Sequence, residues 1–234
     1  MIDNDPILEL RFPLSAPTLP ADHGYVLFSA VCTVLPELRI ENGGIPNLAV
    51  LPVTGMPVGA RRIALDGSSS LTFRLPASAV PRLLPLAGKS LPGPGNSAVA
   101  LGAPSLQGLM PVSRLYARLV TIKVRDLKEN APDYAERFLA AARRMAGVIA
   151  VPADSFSLVK RRMPVSIEGK TGAKPGEPWL RRTLSIRHKT IAGYALAADG
   201  LTPEASLALQ SYGIGGRRHF GCGVFVPYLY REES

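Results

Sequence analysis

Twice along this chain a strand pattern leads into a helix pattern, then into further strands, a short helix and a closing strand. That doubled order limits the fold more than any single motif does. In the first half, Ile7-Leu8-Glu9-Leu10-Arg11-Phe12 reads as a strand stopped by Pro13. Asp22 is the expected N-cap of a helix over 23–32, whose apolar residues recur at helical spacing and which Pro36 bounds. Strands are predicted over 48–53, 61–65 and 71–75, the last two divided by the turn Asp66-Gly67-Ser68. A short helix over 80–86 and a strand over 98–101 complete the half. The second half repeats the order with a strand over 116–124 and a helix over 132–147 striped by Phe138, Leu139, Ala142, Met145 and Ala146. Strands over 157–167 and 180–197 follow, with the Gly/Lys-rich segment 168–176 between them read as a mobile hairpin tip. A helix opened by Thr202-Pro203-Glu204 runs to about residue 212, and a strand over 224–228 ends the series. The expectation is an α+β fold of tandem ferredoxin-like (RRM-like) domains, 1–112 and 113–234, with a C-terminal glycine-rich loop. The halves share element order and no visible sequence identity.

Charge separates the halves. Residues 1–113 carry 7 Lys/Arg and 7 Asp/Glu, whereas 114–234 carry 20 and 11, so the whole +9 excess lies in the second half. Such an asymmetry fits a polyanion, with RNA or DNA the commonest and a membrane surface or simple solubility the alternatives. An apolar fraction of 47% is globular, and no apolar run nears the roughly 18 residues of a bilayer span. The acidic start Met1-Ile2-Asp3-Asn4-Asp5 does not resemble a secretory leader, which predicts a cytoplasmic protein without membrane attachment. Cys32 and Cys222 lack partners at metal-ligand spacing and read as small buried hydrophobes. Asp3, Asp5, Asp22 and Asp66 are scattered caps or turn residues, so no metal and no cofactor is predicted.

The most distinctive stretch is Gly213-Ile214-Gly215-Gly216-Arg217-Arg218-His219-Phe220-Gly221-Cys222-Gly223. Its five glycines let backbone approach a phosphate, and Arg217 and Arg218 supply neutralising charge. It is not a nucleotide-binding loop, because it follows a predicted helix and enters a strand, the reverse of a phosphate loop or a dinucleotide fingerprint.

The spacing of that loop resembles the C-terminal signature of the RAMP superfamily of CRISPR-associated RNA-binding proteins. Leu19-Pro20-Ala21-Asp22-His23-Gly24-Tyr25, Ala117-Arg118-Leu119-Val120-Thr121-Ile122-Lys123 and Gly223-Val224-Phe225-Val226-Pro227 resemble the sixth CRISPR-associated family in its I-MYXAN subtype. The resemblance runs through nearly the whole chain. It implies a metal-independent endoribonuclease that binds CRISPR repeat RNA beside a hairpin and cuts it, releasing guide RNAs. The implied chemistry is attack of the 2′-hydroxyl on the adjacent phosphate, leaving 2′,3′-cyclic phosphate and 5′-hydroxyl ends. It needs a proton acceptor, a proton donor and cations. Other subunits of an effector complex are possible partners. The alternatives are a non-catalytic RAMP subunit that only holds guide RNA and, in a different class, a ribosome- or messenger-binding protein.

Three histidines are available. The family places its catalytic histidine on or near the first helix, which points to His23, although some relatives carry it where this chain has Cys32. His219 in the glycine loop is the second candidate, with Tyr25 as a possible assistant. Gly215, Gly216, Arg217 and Arg218 are expected at phosphate. His188, in a strand-like run among cations, is expected at RNA, as are Lys160, Arg161 and Arg162. Arg137, Arg143 and Arg144 lie on the predicted 132–147 helix; the resemblance implies entry into the groove of an RNA hairpin, against the alternative of a solvated face.

Overall fold

The computed structural model describes residues 5–39, 41, 44–93, 98–124, 131–161 and 178–228. The chain forms two compact units, residues 1–109 with 218–221, and residues 110–217 with 222–234.

In the first unit β1 (Ile7–Ser15) buries Leu10, Phe12 and Leu14 on one face. The alternation follows from the period of two in a half-covered strand. Next come β2 (Thr18–Pro20), α1 (Gly24–Val34), β3 (Ala49–Val50), β4 (Met56–Pro57), β5 (Arg62–Ala64) and β6 (Ser70–Pro76). They are followed by β7 (Ser90–Pro92), β8 (Ala98–Leu101) and β9 (Ser105–Gly108). The main sheet runs β3-β6-β1-β8-β7 with β9 also paired to β1, and β2-β5-β4 form a small sheet. Leu27, Phe28 and Val31 of α1 join Leu10, Phe12, Leu71, Phe73 and Leu75 in one core. Complete burial of each such side chain contributes roughly 1.5–3 kcal/mol.

The second unit contains β10 (Leu115–Val120), α2 (Tyr134–Val148), β11 (Phe156–Leu158), β12 (Arg181–Ile186), β13 (Lys189–Ala198), α3 (Pro203–Tyr212) and β14 (Val226–Pro227). Its sheet runs β11-β13-β10-β14, with β12 also on β13. Phe138, Ala142 and Ala146 of α2 and Leu209 of α3 cover Leu115, Ala117, Leu196 and Phe225. In the first unit β1 lies between β6 and β8, with β3 outside β6; in the second β10 lies between β13 and β14, with β11 outside β13. Among the described residues every strand pairing is antiparallel.

Several local expectations change. The helix expected over 80–86 is a 3-10 helix, Ala77–Leu86, because Pro81 and Pro85 remove the amide donors an α-helix requires. Asp22 does not cap α1; the N-cap position is His23, without a side-chain cap bond. The segments around Asp66-Gly67-Ser68 are not a hairpin pair, since β5 pairs with β2 and β4 while β6 pairs with β1 and β3. The single strand expected over 180–197 is a hairpin, β12–β13, turning at Arg187–His188 with Arg187 at φ 52°. The strand expected over 48–53 is confined to Ala49–Val50, and the closing strand to Val226–Pro227. Of the strand expected over 157–167, Phe156–Leu158 is observed; the rest from 162, and the hairpin tip 168–176, lie outside the described residues.

Candidate functional site

The glycine-rich stretch divides between the units. Residues 218–221 belong to the first, where a 3-10 turn, Arg218–Phe220, rests on the start of α1. Gly24, the first residue of α1, has no room for a side chain, because a Cβ there would collide with the Phe220 carbonyl. The Phe220 ring meets Tyr25 edge-on at 5.4 Å and Phe28 at 5.8 Å between centroids. The partly exposed His219 ring lies 5.1 Å from Phe28. A close-approach glycine and two aromatic side chains thus seat an imidazole on a helix face. Arg218 is half-buried, and desolvation, followed by the charge of Arg74, pushes its pKa down to about 10. It remains cationic at neutral pH.

His23 has a different environment. It is 5% exposed; its Nε2 accepts from the Val53 amide at 2.9 Å, and its Nδ1 lies 3.0 Å from the Pro20 carbonyl. A carbonyl only accepts, so Nδ1 carries the proton and Nε2 is the acceptor. Both ring nitrogens hold backbone groups that flank α1. Protonating Nε2 would break the Val53 bond, and removing the ring would strand a buried amide, a loss of about 1–3 kcal/mol.

In the second unit, Gly213 at φ 60° ends α3 and Gly215 at φ 83° turns the chain. The Gly216 amide donates to the Thr121 carbonyl at 3.1 Å, and the Thr121 hydroxyl donates to the Gly216 carbonyl at 3.2 Å. A Cβ on Gly215 would collide with that same Thr121 carbonyl. The exposed Arg217 sits at φ 64°, with Nη1 3.5 Å from the Thr121 hydroxyl. At Gly223 a Cβ would strike the Ile214 carbonyl, so the second Gly-x-Gly pair closes against the first.

The other predicted residues are spread over the second unit. On α2, Arg144 is exposed, Arg137 bridges Asp133 at 2.5 Å, and Arg143 donates from Nη2 to the Phe156 carbonyl at 3.0 Å. Arg143 therefore ties α2 to β11. Lys160 is exposed beside a backbone bridge to Trp179, and Arg161 donates from Nε to the Trp179 carbonyl at 3.1 Å. Arg162 lies outside the described residues. His188 stands exposed at the β12–β13 turn.

Three residues escaped sequence reasoning. Thr121 carries no signal, since hydroxyls in strands are commonplace. Glu9 and Arg74 left a trace, each a charge inside an apolar strand run. Directly opposite each other across β1 and β6, they form an ion pair of 2.5 Å with the Arg74 side chain fully buried. Both cysteines are buried. Among the described residues no three His, Cys, Asp or Glu side chains gather as metal ligands, and no helix is long and apolar enough to cross a membrane.

Residues 8–229 match the family model described as Cas6 Crispr. The chain is 36% identical over 220 residues to the CRISPR-associated endonuclease Cas6 of Myxococcus xanthus (strain DK1622), covering 94% of this chain and 81% of that one. Two solved structures share the fold at a TM-score of 0.56. One, a CRISPR associated protein Cas6, is 13% identical with 95% of this chain and 99% of that one covered. The other, from the characterization of a Cas6-related gene from Pyrococcus furiosus, is 11% identical with 97% and 100% covered. A family match spanning nearly every residue, glycine-rich loop included, establishes that the chain belongs to the Cas6 family of CRISPR-associated proteins.

Proposed function

We propose that this chain is an endoribonuclease that cleaves CRISPR precursor transcripts within the repeat and yields guide RNAs. The observation that carries the reading is the seating of His219 on α1, beside Arg218, in a chain of the Cas6 family. The common strand order of the two sheets supports reading residues 1–112 and 113–234 as tandem ferredoxin-like domains, with 218–221 joining the first.

In this reading the RNA 2′-hydroxyl attacks the adjacent phosphorus, the bond to the 5′-oxygen breaks, and a 2′,3′-cyclic phosphate and a 5′-hydroxyl remain. The 2′-hydroxyl loses a proton as it attacks and the departing 5′-oxygen gains one; His219 carries this exchange, because an imidazole can both accept and donate a proton near neutral pH. Arg217 and Arg218 offset the charge that grows on the phosphoryl oxygens, and Gly215 and Gly216 let backbone come close. Tyr25 positions the turn through Phe220. His23 holds Pro20 and Val53 around the helix start, and its occupied nitrogens are the ground for placing the proton transfer at His219. No metal is needed in this scheme, since side chains supply both proton carrier and cations. Lys160, Arg161, Arg162, Arg144 and His188 are assigned to contact with the repeat RNA, in hairpin form, in the cytoplasm. The products can pass to other subunits of an effector complex.

The deciding experiment incubates the protein with its cognate repeat RNA and identifies the product ends. Cyclic phosphate and 5′-hydroxyl ends sustain the reading. Binding without cleavage would support the non-catalytic RAMP subunit instead, and absence of binding would remove both.

A further inference from the structure

One face of the second unit's sheet packs against helices, and the opposite face carries a pair of tyrosines. Leu115 and Ala117 join the core under α2 and α3, so the alternation of β10 turns Tyr116 and Arg118 the other way. On that face Ser157, Ala197, Tyr116 and Val226 stand in one row across β11, β13, β10 and β14. Ser157 is exposed, Tyr116 and Val226 are partly exposed, and the small Ser157 and Ala197 add little bulk on one side of the tyrosine. Tyr228, also partly exposed, brings its ring to 5.3 Å from that of Tyr116, at 37°. The Arg114 guanidinium lies 5.4 Å from the centre of the Tyr228 ring, within cation–π reach, and an ion pair with Asp199 steadies it.

We propose that Tyr116 and Tyr228 form a stacking platform for an unpaired base of the RNA, with Arg114 and Arg118 beside the phosphates that flank it. Every nucleobase presents a flat π-face, so such a platform recognises single-stranded character and tolerates any sequence. Charge argues for RNA as the occupant: residues 114–234 hold the whole +9 excess, and Asp199 offsets only one of the two arginines on this face. A tyrosine pair that merely fastens β14 to β10 makes a different prediction. An apolar side chain of similar bulk would then serve as well as a ring.

The inference rests on the RNA-binding reading above. The test is equilibrium binding of repeat RNA blocked at the cleavage site by a 2′-deoxy nucleotide, across a salt series. Tyr116→Phe keeps the π-face and should bind within about twofold of the parent. Tyr116→Leu keeps apolar bulk without it and should bind roughly fivefold to a hundredfold more weakly, the range for losing one stacked base. Its salt slope should be unchanged, because no phosphate contact is lost. Replacing the unpaired nucleotides one at a time by abasic ones should reveal a position whose loss weakens the parent equally and adds nothing to Tyr116→Leu. Should Tyr116→Leu not fold, the parent decides alone: 4-thiouridine placed at each unpaired position in turn should, at one of them, crosslink to Tyr116 or Tyr228. Equal affinities of the folded Phe and Leu variants, abasic losses that simply add to that of Tyr116→Leu, or no crosslink to either tyrosine overturn the inference while the functional reading stands. Failure of the parent protein to bind the RNA would instead overturn the functional reading.

Discussion

The carbonyl oxygen of Phe220 occupies the space that a Cβ on Gly24 would need, so the first residue of α1 and the last of the histidine-bearing turn specify each other. An alanine at a helix start ordinarily helps, since glycine is the poorer helix former by about 1 kcal/mol. Here Gly24→Ala should lower the melting temperature and displace the turn, reducing repeat cleavage at least tenfold while far-UV dichroism is unchanged. A melting temperature at or above the parent's, with full cleavage, would show that the turn is free to sit elsewhere.

His219→Ala and His23→Ala are expected to separate catalysis from structure. General acid or base help contributes on the order of 10² to 10⁴ in rate. His219→Ala should therefore cleave at least a hundredfold more slowly in single turnover, with affinity within a few-fold of the parent. His23→Ala strands the Val53 amide and should lose about 1–3 kcal/mol of stability in denaturant melts. Its cleavage, measured well below its melting temperature, should fall far less than that of His219→Ala. A stable, inactive His23→Ala protein beside an active His219→Ala would exchange the two assignments.

Cleavage should persist in excess chelator. The proton carrier and cations assigned to the reaction are His219, Arg217 and Arg218, none of which depends on an ion. Loss of activity restored by magnesium would overturn the scheme, whichever histidine served it.

The α2 arginines should behave differently although Arg143 and Arg144 are neighbours in the chain. Arg144 is exposed, and Arg144→Glu should weaken RNA binding and reduce its salt slope by about one. Arg143 reaches the Phe156 carbonyl, and Arg143→Ala should show mainly in thermal stability. Equal effects on affinity would place both side chains at RNA.

Sequence patterns were informative wherever periodicity or composition governs the outcome. The stripe on α2, the alternation in β1, the Thr202 cap and the two Gly-x-Gly pairs each follow from local rules. What escaped them depends on distant partners. His23 sits at a helix start, and the amide that donates to its Nε2, Val53, lies 30 residues away in sequence. Arg143 borders the apolar stripe, and only the meeting of α2 with β11 turns it inward to a carbonyl. The helix expected over 80–86 contains Pro81 and Pro85, and the chain there is a 3-10 helix. Glu9 and Arg74 become a pair once β1 and β6 are in register, which neither segment discloses alone.

The membership of residues 218–221 in the first unit has a consequence for protein synthesis. Nearly all of that unit leaves the ribosome early, whereas the turn that lies against Tyr25 and Phe28 is translated only after residues 110–217. Until then α1 displays bare aromatic surface, a place for a chaperone to bind and for aggregation to begin. An incomplete nascent chain has neither His219 nor Arg218 on that helix. On the reading proposed above, an unfinished polypeptide lacks the residue assigned to proton transfer, and a premature stop before the turn leaves a product unable to cleave RNA.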